Sequence, residues 1–357
     1  MASISYPQLA LDIKRWAREL GFAEAGITDT DLSHDEEGLR QYLAEGHHGT
    51  MHWLQDRLDL KTHPEALHPG TTRIICVRMN YAQADIKQAW NVVHDSELGY
   101  ISRYALGRDY HKLVRKLLQK LADRITAEIG PFNYRAFCDS APVMEKSLAQ
   151  KAGLGWRGKH TLTLSRSAGS YFFLGELFTD LPLPIDQPVE NYCGTCTRCI
   201  DACPTGAITA PYQLDAKRCI SYLTIEYKGS IDPELRPLMG NRVFGCDDCQ
   251  LACPWNKFAQ VTLENDFLPR HHLDGTKLTE LFAWDEATYL AKTEGMSIRR
   301  AGYESWLRNI AIGLGNAKHS AEVVAALRAR ADHPSEIVRE HVAWALAEQA
   351  KKAAAAT

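Results

Sequence analysis

The feature that most constrains this chain is where its cysteines fall. Eight of the ten lie between positions 193 and 253 of 357 residues. Cys193, Cys196, Cys199 and Cys203 form C-x2-C-x2-C-x3-C, followed at once by Pro204. Three thiolates at this spacing wrap one cubane 4Fe–4S cluster, because a tight loop turns each side chain inward. The fourth lies past the turn and reaches a second cluster. The second half, Cys246-x2-Cys249-x3-Cys253-Pro254, has Val243 where a symmetrical repeat would place another cysteine. Cys219 is the obvious replacement. Interleaving then assigns Cys193, Cys196, Cys199 and Cys253 to one cluster and Cys203, Cys219, Cys246 and Cys249 to the other, with no ligand left over.

Zinc would use paired C-x2-C units and leaves the three-cysteine run and both Cys-Pro ends unexplained. Disulfides need an oxidising compartment. Met1 to Gln8 shows no basic leader or apolar run, and no stretch approaches the roughly 20 apolar residues of a membrane span. The expectation is a cytoplasmic chain with reduced thiols and no membrane association. Cys76, in an apolar strand, and Cys138 read as structural.

Beyond the cysteines, the pattern is that of an α+β multidomain protein. Leu9, Ile13, Trp16, Ala17 and Leu20 recur at helical spacing. Residues 72–81 read as a buried strand. Residues 109–129 read as a helix with Leu113, Leu117, Leu121 and Ile125 on one stripe. A strand at 134–138, a helix at 142–152 and strands at 161–166 and 171–178 follow. Residues 1–182 are thus expected to form an α/β domain with a mixed sheet. Residues 181–191 carry three prolines and read as a linker, opening a ferredoxin-like two-cluster module over 183–260. Residues 261–357 read as helical, with helices at 305–315, 320–331 and 335–350 and a frayed KKAAAAT tail. Val338, Val342, Ala345 and Leu346 give the last helix a stripe similar to a HEAT-type repeat.

Two clusters form a one-electron relay, and most of the chain lies outside it, which points to an enzyme rather than a carrier. Net charge is −3, so nucleic-acid binding would need a local basic patch. Gly153-x-Gly155-x-x-Gly158 matches a dinucleotide fingerprint, but a helix precedes it and a strand follows, the reverse of the required context. It reads as a glycine-rich turn. Asp109-x-His111 begins a D-x-H-x-x-G cobalamin motif that fails at Val114. Asp109 then reads as an early-helix acid and His111 as a solvated face residue. Asp139 follows a strand and precedes a helix; it reads as a helix N-cap or as an acid at a strand end, where sites collect.

Four blocks, FCDSAPVMEKSLAQKAGLGWRGKHTL, CISYLTIEYKG, LRPLMGNRVFGCDDCQLACPWN and RRAGYESWLRNIAIGLGN, together resemble the epoxyqueuosine reductase family, over about residues 7–350. The resemblance implies reduction of epoxyqueuosine at the tRNA wobble position to queuosine, the epoxide oxygen leaving as water. It implies two 4Fe–4S clusters and a base-off cobalamin with no protein histidine on cobalt. It makes Asp139 the proton donor, which would need a dry pocket that raises its pKa. Cobalamin would lie along Gly158, Lys159, His160 and Thr161, with Arg57 and Tyr104 as further contacts and Asp139 beside it. Ser221 and Tyr222 would bridge it to a cluster.

The tRNA, bearing a GUN anticodon, would meet Arg299, Arg300 and Arg308, with Tyr303 and Trp306 available for stacking. The alternative is a wet helix face with buried aromatics. Lys112, Arg115, Lys116 and Lys120 extend the patch or are the solvated side of their helix. An external one-electron donor and a monomeric chain complete the expectation. The rival readings are a cobalamin-dependent reductive dehalogenase and a non-catalytic electron-transfer subunit.

Overall fold

The computed structural model describes residues 5–83 and 86–356. Positions 1–4 of the Met1–Gln8 segment, and Thr357, lie outside the described residues. Among the described residues, eight strands occur in chain order: β1 (Glu24–Thr28), β2 (Arg73–Asn80), β3 (Tyr100–Ile101), β4 (Tyr134–Phe137), β5 (Trp156–Arg157), β6 (Thr163–Leu164), β7 (Phe172–Thr179) and β8 (Arg242–Phe244). The main sheet has the order β1-β2-β7-β4, and every pairing in it is antiparallel. This corrects the expected mixed sheet. Alternating helix and strand patterns carry no information on strand direction; here β2 and β4 run the same way, but β7 lies between them and every neighbouring pair is antiparallel.

Helices cover both faces of this sheet. Alternate residues of β2 face opposite ways, as a strand's period of two requires. Ile75, Val77 and Met79 join the core made with α1 (Tyr6–Glu19) and α2 (Tyr110–Ile129). Ile74 and Cys76 face Leu148 and Ala149 of α3 (Glu145–Lys151). Cys138 lies in the first core, so both cysteines outside the cluster segment are buried. The buried stripe of α2 is Val114, Leu117, Leu118, Leu121, Ala122 and Ile125; Leu113 is only partly buried against it.

The cysteine segment is tied to the rest at β8, which pairs in parallel with β3. Just past β8, the buried Asp247 carboxylate accepts from Tyr100 OH at 2.8 Å, Ser102 Oγ at 2.5 Å and the Arg103 backbone N–H at 2.8 Å. These bonds fix the loop that carries Cys246 and Cys249. Helix α4 (Ile220–Ile225) packs against β8.

The described chain ends in α5 (Tyr303–Asn316), α6 (Ala321–Arg328) and α7 (Glu336–Ala356), after shorter helices at Leu278–Ala283 and Glu286–Lys292. Helix α5 is buried from Ser305 to Gly315. Such all-round burial marks a central helix rather than a surface one. Its core extends to Ile101, Ala105, Val243 and Phe244. Helix α7 does not fray at KKAAAAT but continues to Ala356. Alanine and lysine favour helix, and Lys352 Nζ donates to Gly315 O at 2.7 Å and Ala317 O at 2.6 Å. Among the described residues, no helix is long and apolar enough to cross a membrane.

Candidate cofactor cavity and active site

The fold sorts the eight cysteines into two places. Cys193, Cys196, Cys199 and Cys253 line one small cavity of about 30 Å³, beside Lys159, His160 and Trp255. Cys203, Cys219, Cys246 and Cys249 line a second, larger cavity of about 460 Å³. Donors already reach two of the sulfurs: Trp156 Nε1–H points at Cys193 Sγ at 3.4 Å and Ala207 N–H at Cys203 Sγ at 3.2 Å. Hydrogen bonds of this kind favour the thiolate and tune a cluster.

The larger cavity falls in the size range of small-molecule sites. Tyr104, His160, Thr161, Ser221 and Tyr222 line it, as do Tyr110 and Lys146. Two of its polar atoms are buried without a partner, His160 Nε2 and Thr163 Oγ1. The cavity therefore offers unsatisfied polar atoms to a ligand, the condition a bound polar cofactor would relieve. Leu162 N–H donates to His160 Nδ1 at 3.1 Å, which leaves the ring proton on Nε2. Burial and the neighbouring Lys146 ammonium push His160 down to about 4, so the ring is neutral. Thr161 has φ 68, a strained value for a β-branched residue, held at the cavity wall. Tyr222 OH accepts from Thr50 N–H at 2.8 Å. Gly49 (φ 59) sits so close that a Cβ there would lie 2.4 Å from that hydroxyl.

Lys159, Gly158, Arg57 and Asp139, all expected at the cofactor, do not line this cavity. Lys159 Nζ donates to Gly194 O at 2.7 Å and Cys196 O at 3.0 Å, so it pins the first cysteine loop from behind. Gly158 lies outside the larger cavity's wall; a Cβ on it would meet His160 Cε1 at 2.8 Å, so it allows the histidine to pack. Arg57 is exposed and outside the wall.

Asp139 lies two residues beyond β4, at φ 53, and it is not the N-cap of α3, a position held by Met144. Its Oδ2 accepts from Tyr110 OH at 2.7 Å and from His111 Nε2 at 3.0 Å. On its other side His111 Nδ1 meets Asp109 Oδ1 at 2.5 Å, and Asp109 also caps α2. His111 is therefore no solvated face residue: its side chain is 17% exposed and bridges two carboxylates.

The charges follow from this geometry. Partial burial pushes Asp139 up, but the His111 and Tyr110 hydrogen bonds and the His111 charge outweigh it and bring Asp139 down to about 2. Burial pushes His111 down, yet the hydrogen bonds and charges of Asp109 and Asp139 carry it up to about 9. The expected raised pKa of Asp139 is thus corrected. In this arrangement the proton resides on His111 and Asp139 is the carboxylate that faces it. The side chain of Asp139 remains 46% accessible, so it can meet a substrate. Tyr110 connects this group to the cavity it lines.

The proposed nucleic-acid residues divide by burial. Arg299 and Arg300 are exposed, and Arg300 Nη2 lies 2.9 Å from Glu226 Oε1. Tyr303 is partly buried, its hydroxyl donating to Trp284 O at 2.7 Å. Trp306 and Arg308 are fully buried and have no surface to offer a tRNA. Trp306 stacks on Trp284 with centroids 5.5 Å apart. Arg308 donates to Leu223 O, Tyr227 O and Gly229 O and to Asn309 Oδ1, and burial pushes it down to about 10. A separate open groove of about 520 Å³ is lined by Lys112, Arg115 and Lys116 of the helix that carries His111 and by Arg135 of β4.

Sequence reasoning missed Tyr110, Lys146, Glu145 and Glu176. The last has one legible signal, a lone glutamate within the apolar strand FFLGELFT.

Comparison with known proteins agrees with this architecture. The family model described as "4Fe-4S double cluster binding domain" matches residues 192–256, and that described as "Epoxyqueuosine reductase QueG, DUF1730" matches residues 61–140. The chain is 59% identical to the epoxyqueuosine reductase of Xanthomonas campestris pv. campestris, over 95% of this chain and 96% of that one. It is 55% identical to the Escherichia coli K12 epoxyqueuosine reductase, over 97% and 90%. A crystal structure of epoxyqueuosine reductase with an epoxyqueuosine-modified tRNA-Tyr stem loop superposes with a TM-score of 0.88 at 28% identity, covering 97% of this chain and 91% of that one. The Streptococcus thermophilus epoxyqueuosine reductase structure gives 0.85 at 28% identity, over 96% and 90%. This chain belongs to the epoxyqueuosine reductase family.

Proposed function

We propose that this chain reduces epoxyqueuosine at the wobble position of tRNA to queuosine. Two electrons and two protons enter, both epoxide C–O bonds are replaced by a C=C bond, and the oxygen leaves as water. One observation carries the reading: a single cavity has four cluster-type cysteines on one wall and, on another, the tyrosine that holds Asp139.

Cys193, Cys196, Cys199 and Cys253 would hold one 4Fe–4S cluster, and Cys203, Cys219, Cys246 and Cys249 the other. Tyr104, His160, Thr161, Ser221 and Tyr222 would wall a base-off cobalamin. When bound, the clusters supply single electrons and the cobalamin a strongly reducing cobalt centre. His160 carries its free ring proton on Nε2, so it is set to donate to an amide oxygen rather than to ligate a metal. Asp139 and His111 serve the departing oxygen: Asp139 Oδ2 orients the group and His111 Nε2 holds the proton to be delivered. Tyr110 keeps Asp139 in register with the cavity.

The tRNA is proposed to lie across Arg299, Arg300 and the groove of Lys112, Arg115, Lys116 and Arg135, where positive charge meets phosphate. Residues 1–182, 183–260 and 261–357 are proposed as the catalytic, cluster and HEAT-like tRNA-binding regions of a cytoplasmic monomer, served by an external one-electron donor.

The test is anaerobic reconstitution with iron, sulfide and cobalamin, followed by incubation with epoxyqueuosine tRNA and a reductant. About eight irons and one cobalt per chain, with conversion to queuosine by nucleoside mass spectrometry, is the expected result. Eight irons with no retained cobalt and no conversion would instead indicate an electron-transfer subunit.

A further inference from the structure

A second carboxyl pair lies directly behind Asp139. Glu176 sits in the middle of β7, in register with Cys76 on one side and Phe137 on the other. It is fully buried, and neither carboxyl oxygen meets an N–H or O–H donor. Its neighbour is the Glu145 carboxyl. Two carboxyl groups hydrogen-bond to each other only when one is protonated, and two carboxyls that face each other with one fully buried do not both ionise readily. Glu145 Oε1 also accepts the backbone N–H of Asp139. That amide belongs to a residue held at φ 53, a backbone region a non-glycine residue keeps only when its surroundings enforce it.

We propose that Glu145 and Glu176 share one proton and that Glu145, as a positioning residue, clamps the Asp139 amide so that its carboxylate stays against His111 and Tyr110. The inference rests on the reading of Asp139 as the group that serves the reaction.

The groups facing the pair set its pH behaviour. Cys76 on β2, Cys138 after β4, Asp139, His111 on α2, Lys146 on α3 and Lys61 all interact electrostatically with Glu145. Burial and the Asp139 charge push Glu145 up to about 7, against the opposing Asp139 amide, Glu176 hydrogen bond and His111 charge. Burial and Glu145 push Glu176 well up. Glu176, pushed further up, keeps the shared proton when Glu145 ionises, and the Glu145 carboxylate then stands beside the Asp139 charge while still accepting its amide. The folded pKa is raised above the ordinary 4.5, so the pair's stabilisation is intact below that value and is lost as pH rises to about 7.

Two variants test this. Glu145→Gln keeps an oxygen for the Asp139 amide and offers Glu176 an N–H in place of the shared proton. Glu145→Ala removes the clamp. Glu145→Ala is expected to lose roughly tenfold to a hundredfold in kcat, as a slight misplacement of a catalytic group does, with KM for tRNA unchanged. Glu145→Gln is expected to recover most of that loss. Independently of turnover, the thermal midpoint of the wild type should fall from about pH 5 to about pH 7.5 more steeply than that of Glu145→Gln. Superimposable midpoint–pH curves for the wild type and Glu145→Gln, or a Glu145→Ala kcat equal to the wild type's, would overturn the proposal. A wild type that converts no epoxyqueuosine would overturn the proposed function, and the midpoint comparison would still decide whether the carboxyl pair shares a proton.

Discussion

His111 Nε2 lies 3.0 Å from Asp139 Oδ2, while His111 Nδ1 lies 2.5 Å from Asp109 Oδ1. One imidazole therefore joins a helix cap to the acid that follows β4. A histidine flanked by two carboxylates is held cationic, and the acid it faces is held ionised.

This arrangement makes a pH prediction. His111 stands at about 9 against an ordinary 6.5. A raised folded pKa contributes stability that is complete below the unfolded value, so that contribution is lost as pH rises from 6.5 through about 9. His111→Gln removes it, and its thermal midpoint should change less across that interval than the wild type's. In the same variant kcat should fall by roughly 10²–10⁴, the usual contribution of a general acid. An unchanged kcat would remove His111 from the proton path.

The cysteine partition predicts how iron is lost. Cys219→Ser should deplete the cluster at the larger cavity and leave about four irons, with turnover abolished. Cys253→Ser should deplete the other. Iron analysis with electron paramagnetic resonance on the reduced proteins distinguishes the two, because the surviving signal should differ. The same residual signal in both variants would contradict the interleaved assignment.

Arginines that look alike in sequence should separate in experiment. Arg308→Ala strands buried carbonyls at Leu223, Tyr227 and Gly229, each at a cost of about 1–3 kcal/mol. It should lower the thermal midpoint sharply or prevent folding. Arg300→Ala should leave the midpoint unchanged, weaken tRNA binding, and reduce the salt dependence of that binding by about one unit of slope. Loss of affinity in a fully stable Arg308→Ala protein would reverse this division.

Much of this was legible in the sequence, for identifiable reasons. The cluster cysteines announce themselves because their spacing is local. Helices α1, α2 and α5–α7 follow from apolar periodicity. The antiparallel direction of the sheet was not legible, since β1 (EAGIT) carries too weak a pattern to show how it pairs. His111 was misread because its partner Asp139 is 28 residues away and meets it only once β4 lies beside α2. Trp306 and Arg308 were misread because a basic-aromatic segment looks the same whether its helix is at the surface or in a core. Lys159 sits beside the cavity residues in sequence, yet its side chain turns to the cysteine loop behind them.

The most direct test of the account compares conversion of epoxyqueuosine in tRNA by the wild type and by Asp139→Asn, both loaded with iron and cobalamin to the same measured content. The account predicts that the variant keeps its metals and its tRNA affinity while conversion falls by roughly 10² or more. Conversion at the wild-type rate by the fully loaded variant would contradict the placement of the active site at Asp139.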